Sequence, residues 1–165
     1  MPNISEQAFI QKIENHEGII HKVIHLYVDS EEDKRDMYQE ILLQAWKSFQ
    51  NFRGDSTFST WLYKVCLNTV LTFHRKQEKY DEIKANYSHG PPETLDKKET
   101  SEVLYYLVRR LNETDRMIMT LYLESYKNKE IAEITGLTVN HVNDKVHRLK
   151  SQIIEDLKKE QYGLT

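Results

Sequence analysis

An all-α fold is predicted by three features of the sequence. Apolar residues recur at helical spacing in nearly every patterned stretch, no stretch alternates with period two for long enough to claim a strand, and capping residues stand ahead of several apolar runs. The helical stretches fall into two groups. Two small helical domains are therefore expected, over 1–78 and 100–165, joined by a flexible linker over 79–99.

In the first group, Ile10, Ile13, Ile20, Val23, Ile24 and Tyr27 fall on one face of a first helical segment, weakened in its middle by Gly18. Met37, Ile41, Ala45 and Phe49 recur every four residues in a second helix, with Trp46 beside them. Ser30 is its predicted cap, and Glu31, Glu32 and Asp33 suit the positive end of the helix. After the loop Phe52–Thr57, a third helix is expected through Trp61, Leu62, Val65 and Thr69 towards Lys76.

Between Gln77 and Thr100 the apolar period is lost, and charges mix with Asn86, Ser88, Gly90, Pro91 and Pro92. This composition predicts a linker, partly disordered or with one short helical turn. Its roughly 24 residues reach at most about 80 Å when fully extended.

The second group opens with Val103, Leu104, Leu107, Val108 and Leu111 on one buried helical face. Asn112 caps the next helix, with Asp115 three residues on as in a capping box, and Met117, Ile118, Leu121 and Tyr122 face its core. A third helix is predicted from about Asn128 to Thr135, ended by Gly136, since glycine adopts the left-handed conformation of a tight turn. Thr138 caps the last helix, whose inner stripe is Val142, Val146, Leu149, Ile153 and Leu157. Leu137 and Val142 sit where a hydrophobic staple closes over that start.

Composition narrows the function. Hydrophobic residues at 39% and charged residues at 30% suit helical modules with small cores and wide solvated faces. No apolar run approaches the about 18 residues needed to span a bilayer, and Met1–Phe9 lacks the apolar segment of a signal peptide. The single cysteine, Cys66, excludes an intramolecular disulfide framework, so a cytoplasmic protein without membrane insertion is expected. Cys66 itself is either an inert packed thiol or a redox sensor. With a net charge of −3, the chain is poorly suited to gripping DNA by charge alone. A nucleic-acid role then requires local basic patches, or a partner that brings the chain to DNA.

Glu130–Thr138 followed by an amphipathic helix is a helix-turn-helix signature: Ala132 leaves room for a close crossing, Gly136 makes the turn, and Ile131 with Val142 and Val146 seals the pair. The second helix offers Asn140, His141, Asn143, Asp144 and His147 outward, with Lys145, Arg148 and Lys150 placed for phosphates. In such a motif the second helix enters the major groove by its N-terminal end.

At this point a family resemblance becomes specific. Leu111–Lys150 resembles region four of sigma-70-family RNA polymerase sigma factors, and Asp33–Lys76 resembles their region two. Asp36-Met37-Tyr38-Gln39-Glu40 is similar to the family's Asp-x-x-Gln-Glu signature. Phe52–Leu62, with Asn68-Thr69 and Arg75-Lys76, is similar to the loop and helix of the extracytoplasmic-function group. Departures lie at the recognition helix, where Asn140-His141 stands for the group's glycine-threonine and Asn143-Asp144 for its arginine-serine.

The resemblance implies that Asp36, Gln39, Glu40 and Leu43 meet a basic coiled coil of core RNA polymerase. Six acids between Asp29 and Glu40, against Lys34 and Arg35, suit such a partner. It implies a promoter-melting element in which Arg53, Ser56, Thr57 and Asn68 receive an unstacked base of the downstream promoter element while Lys64, Arg75 and Lys76 track the backbone. It assigns Asn140, His141, Asn143, Asp144, Lys145, His147, Arg148 and Lys150 to the upstream element. Phe58 and Trp61, at i, i+3, serve core packing or base stacking, the spacing favouring packing. Core polymerase would position the protein on DNA, and the tether spans two sites about two DNA turns of roughly 34 Å apart. An anti-sigma factor is also expected.

Two other classes compete with this one. A helix-turn-helix regulator acting without polymerase would bind a palindrome as a dimer, but has no need of the region-two loop and Asn68. A small metal-dependent enzyme would use His21 and His25 at i, i+4, but no third ligand completes that site. No P-loop, Ser-His-Asp set or paired catalytic carboxylates stand out. Neither cofactor nor metal is expected, nor enzymatic activity.

Overall fold

The computed structural model describes residues 5–81 and 100–162, and all of the regular structure among them is helical. Contacts divide the chain into two compact units, Met1–Ala85 and Asn86–Thr165.

The first unit holds α1 (Glu6–Glu14), α2 (Glu17–Tyr27), α3 (Glu31–Phe49) and α4 (Phe58–Asp81). Ser5 caps α1 by accepting from the Ala8 N–H at 3.2 Å, and Ser30 caps α3 by accepting from Asp33 N–H at 3.0 Å. Helices α2, α3 and α4 pack on one another, burying Ile20, Val23, Met37, Ile41, Leu62, Cys66 and Val70 almost completely. The predicted first segment is in fact two helices, broken at Asn15 and His16 rather than at Gly18. Phe9, not Ile10, joins Ile13 in the core from α1. Its ring packs edge-on to Trp46 at 5.0 Å and against Phe49 at 5.2 Å, and Ile10, one residue on, is turned to solvent.

Helix α4 outlasts its predicted end: residues 79–81 of the expected linker continue it, and 82–99 lie outside the described residues.

The second unit holds α5 (Thr100–Arg109), α6 (Glu113–Leu123), α7 (Asn128–Thr135) and α8 (Val139–Tyr162). Helices α5, α6 and α7 all pack on α8. Ile118, Leu121, Ile131 and Val142 are wholly buried there, each worth roughly 1.5–3 kcal/mol against exposure. Helix α5 stops before Leu111 because Arg110 and Leu111 donate to the carbonyls of Leu107 and Val108, three residues back, tightening the last turn before Asn112. Asn112 caps α6 as predicted, accepting from Asp115 N–H at 2.9 Å.

The α6–α7 turn closes through Ser125, a non-glycine residue at φ 67°. Its N–H donates to the Tyr122 carbonyl and that of Tyr126 to the Leu121 carbonyl, the Schellman pattern. Gly136, at φ 76°, ends α7 with its N–H on the Ala132 carbonyl.

Candidate nucleic-acid interface

Three surfaces carry the residues singled out by sequence. On α3, Met37, Ile41, Ala45 and Phe49 face the core, so the helical period places Asp36, Gln39, Glu40 and Leu43 together on the opposite, solvent side. Leu43 is 46% exposed, an apolar side chain set in an acidic face. Glu40 Oε1 accepts from Gln44 Nε2 at 2.8 Å. Tyr38, within the same stretch, donates its hydroxyl to Glu17 Oε1 at 2.8 Å and stacks on His21, tying α2 to α3. Partial burial, then the Glu17 hydrogen bond, pushes the Tyr38 phenol up to about 12. The hydrogen bonds from Tyr38 and His21 hold the Glu17 carboxyl below its ordinary value. His21 is thus occupied by Glu17 and Tyr38. Among the described residues no group of three or more His, Cys, Asp or Glu is placed to hold a metal ion.

The second surface is the loop after α3 and the face of α4. Gly54 at φ 79° turns this loop. Beside it lies an open, solvent-facing cavity of about 320 Å³, lined by Arg53, Asp55 and Ser56 of the loop, Ser48 and Asn51 near the end of α3, and the rings of Phe52 and Trp61. Thr57 has a task that spacing alone did not assign: its hydroxyl oxygen accepts from Thr60 N–H at 3.3 Å and donates to Thr60 Oγ1 at 3.0 Å, capping α4. Phe58 is buried, within 5.2 Å of Trp61 and 6.2 Å of Phe49, so its role is core packing. Trp61 is half-buried, packed on Phe52 and Phe58 while lining the cavity.

The 100° step of the helix aligns Trp61, Lys64, Asn68 and Arg75 in one stripe, and the last three are exposed. Asn68 lies seven residues, about 10 Å, along the helix from Trp61. Lys76 is exposed on a neighbouring face. Cys66, on the buried side of the same helix, is fully enclosed, and burial pushes its thiol well above the ordinary range.

The third surface is the α7–turn–α8 unit. Thr138 caps α8 through the His141 N–H at 3.2 Å, and Asn140, His141, Asn143, Asp144, His147, Arg148 and Lys150 are exposed. Asn143 Oδ1 accepts from Asn128 Nδ2 at 2.7 Å. This brings the N-terminal turn of α7, with exposed Lys127 and Lys129, beside the outward face of α8; the motif's first-helix position was the only sequence signal for those two lysines. Lys150 lies over the Tyr122 ring at 5.5 Å.

Lys145 departs from its expected placement. Its ammonium donates to Asp115 Oδ1 at 2.6 Å with only 18% of the side chain exposed, so it faces α6 rather than standing outward for phosphates. The partner is 30 residues away in sequence, beyond any local spacing rule.

Among the described residues no helix is long and apolar enough to cross a membrane. The family model for Sigma-70 region 2 matches residues 13–80, and that for Sigma-70, region 4 matches residues 101–153. The RNA polymerase sigma factor SigV of Bacillus subtilis is 30% identical over 140 residues, covering 82% of each chain. The ECF RNA polymerase sigma-E factor of Escherichia coli K12 is 27% identical over 164 residues, covering 90% of this chain and 85% of that one. Two solved structures share the fold. The sigma factor RpoE in complex with the anti-sigma factor NepR from Bartonella quintana matches with a TM-score of 0.76 at 17% identity, over 92% of this chain and 98% of that one. CnrH in complex with the cytosolic domain of CnrY matches with a TM-score of 0.66 at 18% identity, over 93% and 90%. With both regions present in order and a close-length relative at 30% identity, the chain belongs to the sigma-70 family of RNA polymerase sigma factors, in its extracytoplasmic-function group, and serves transcription initiation with core RNA polymerase and promoter DNA as its partners.

Proposed function

We propose that residues 1–78 dock on core polymerase and open the downstream promoter element, that 100–165 dock on the upstream element, and that 79–99 act as the tether. The exposed face of Asp36, Gln39, Glu40 and Leu43 suits a basic partner helix with an apolar patch. Arg53, Ser56, Lys64, Asn68, Arg75 and Lys76 serve the opened strand, with Thr57 setting the start of α4. Asn140, His141, Asn143, Asp144 and His147 meet the bases of the upstream element, and Arg148 and Lys150 its phosphates.

The protein works in the cytoplasm, without membrane insertion, cofactor or metal, and is not an enzyme. An anti-sigma factor regulates it, a proposal supported by the likeness to two folds solved with NepR and with CnrY.

The observation that carries the proposal is the cavity between the loop and Trp61, continued along α4 by Lys64, Asn68 and Arg75. Its volume is in the range that holds a small organic group, and the polar side chains around it suit the edge of an extruded base, with Phe52 and Trp61 beside it. The test is Asn68→Ala in the holoenzyme. Closed-complex formation stays near wild type while permanganate reactivity of thymines in the opened region falls; full reactivity would show Asn68 to be structural.

A further inference from the structure

Lys145, in the first half of α8, has its charge paired with a carboxylate of the same unit. Asp115, buried to 7% exposure, divides its carboxylate: Oδ2 accepts from Asn112 Nδ2 at 2.8 Å, and Oδ1 accepts from Lys145 Nζ at 2.6 Å. The Asp115 N–H in turn donates to Asn112 Oδ1, fixing the side chain at the first turn of α6, where the helix dipole favours a negative charge. We infer that Asp115 and Lys145 form an orienting clamp, and that Lys145 is a positioning residue for upstream-element recognition rather than a phosphate contact. This rests on α8 being the helix that meets the upstream element.

Two physical consequences support the clamp. A short charge-assisted hydrogen bond between largely buried groups is directional, so it fixes the rotation of α8 about its axis as well as its distance from α6. Asn140, Asp144 and His147 lie within five residues of Lys145 and share one face of the helix, so a small rotation would carry all three off their base edges. Loss of one partner also leaves the other charge buried and uncompensated, so the pair resists partial opening.

The charge balance changes as well. With Lys145 neutralised by Asp115, the formal charges exposed between Asn140 and Arg148 are Asp144 and Arg148, which cancel. The N-terminal half of α8 thus reads bases with little net attraction to phosphate. The electrostatic grip falls to Arg148, Lys150 and the lysines at the start of α7.

The test compares Lys145→Met, Lys145→Arg, Asp115→Asn and the double variant Asp115→Asn/Lys145→Met, each as full chain in holoenzyme. Readouts are selection from randomised upstream elements and the salt dependence of binding. Lys145→Met is expected to weaken binding about tenfold and relax base preference, with the salt slope unchanged, because no phosphate contact is lost. Asp115→Asn should relax the same positions although it removes a negative charge, and the double variant should be no worse than the worse single. Lys145→Arg should retain most of the preference.

A salt slope lowered by about one in Lys145→Met, with wild-type preference in Asp115→Asn, would make Lys145 a phosphate contact and overturn the clamp. A lowered melting temperature with unchanged base preference in every variant would reduce the pair to a structural role and equally overturn it. Where Lys145→Met fails to fold, Asp115→Asn and Lys145→Arg decide by the same readouts. Arg148→Ala and Asn143→Ala run alongside: if the first leaves the slope and the second leaves the preference unchanged, the placement of α8 on DNA has failed, not the clamp alone.

Discussion

Asn128 donates its side-chain amide to Asn143 Oδ1 at 2.7 Å, fastening the first residue of α7 to the outward face of α8. The bond leaves the Asn143 Nδ2 protons and a second Oδ1 lone pair for a base edge, and it fixes which way the amide points.

Replacing Asn143 by alanine should therefore change the preferred upstream bases, at about 1–3 kcal/mol per lost contact. Asn128→Ala, which only frees the Asn143 amide to rotate, should blur the same positions by less. Arg148→Ala should weaken all upstream sequences alike. Selection from randomised upstream elements with holoenzyme separates the three outcomes. Unchanged preference in Asn143→Ala would remove this residue from base readout.

Glu40 offers a test of the acidic face. Its side chain is exposed and bonded only to Gln44 one turn on, so Glu40→Lys should leave helical content near wild type. Against a basic partner, charge reversal costs several kcal/mol, whereas on a merely solvated face it costs within about 0.5 kcal/mol. Titration of core polymerase in a pull-down measures the difference.

Ser125 holds a left-handed conformation that costs an L-residue roughly 1–2 kcal/mol and glycine little. Ser125→Gly should raise the stability of the second unit by about 1 kcal/mol, the gain being reduced by the greater freedom of glycine when unfolded. A higher midpoint in thermal unfolding supports the turn geometry, and a lower one would contradict it.

Cys66 is a proton-linked case with a definite sign. Burial raises its thiol above the unfolded value of about 8.5, so its contribution to stability is complete below that pH and declines as pH rises above it. At neutral pH the folded protein holds it as an unreactive thiol. A thiol reagent should label it only as fast as the first unit opens, and rapid labelling of the native protein would revive a redox-sensing role.

Much of this architecture was legible because local chemistry and burial agree. The four-residue recurrence of Met37, Ile41, Ala45 and Phe49, the Asn112 cap and the Gly136 stop all report interactions within a few residues, and each stands where the pattern put it. Where the pattern misled, a distant partner decided. Ile10 and Phe9 are both apolar, and only the rings of Trp46 and Phe49 select Phe9 for the core. Lys145 has the sequence position of a phosphate contact, and only Asp115, on another helix, turns it inward. The cavity beside Trp61 brings residues of α3 and the loop together, a juxtaposition with no periodic signature.

Promoter recognition by core polymerase should depend on this chain through two separate elements. Transcription from a promoter library by core polymerase, with and without the full chain, measures that dependence. Transcripts should appear only with both proteins, from templates enriched at an upstream and a downstream element about two DNA turns apart. The free chain should bind the same templates weakly and in a salt-sensitive manner. No enrichment over core polymerase alone, with nanomolar binding of the free chain to a palindrome, would instead make it a regulator that acts without polymerase.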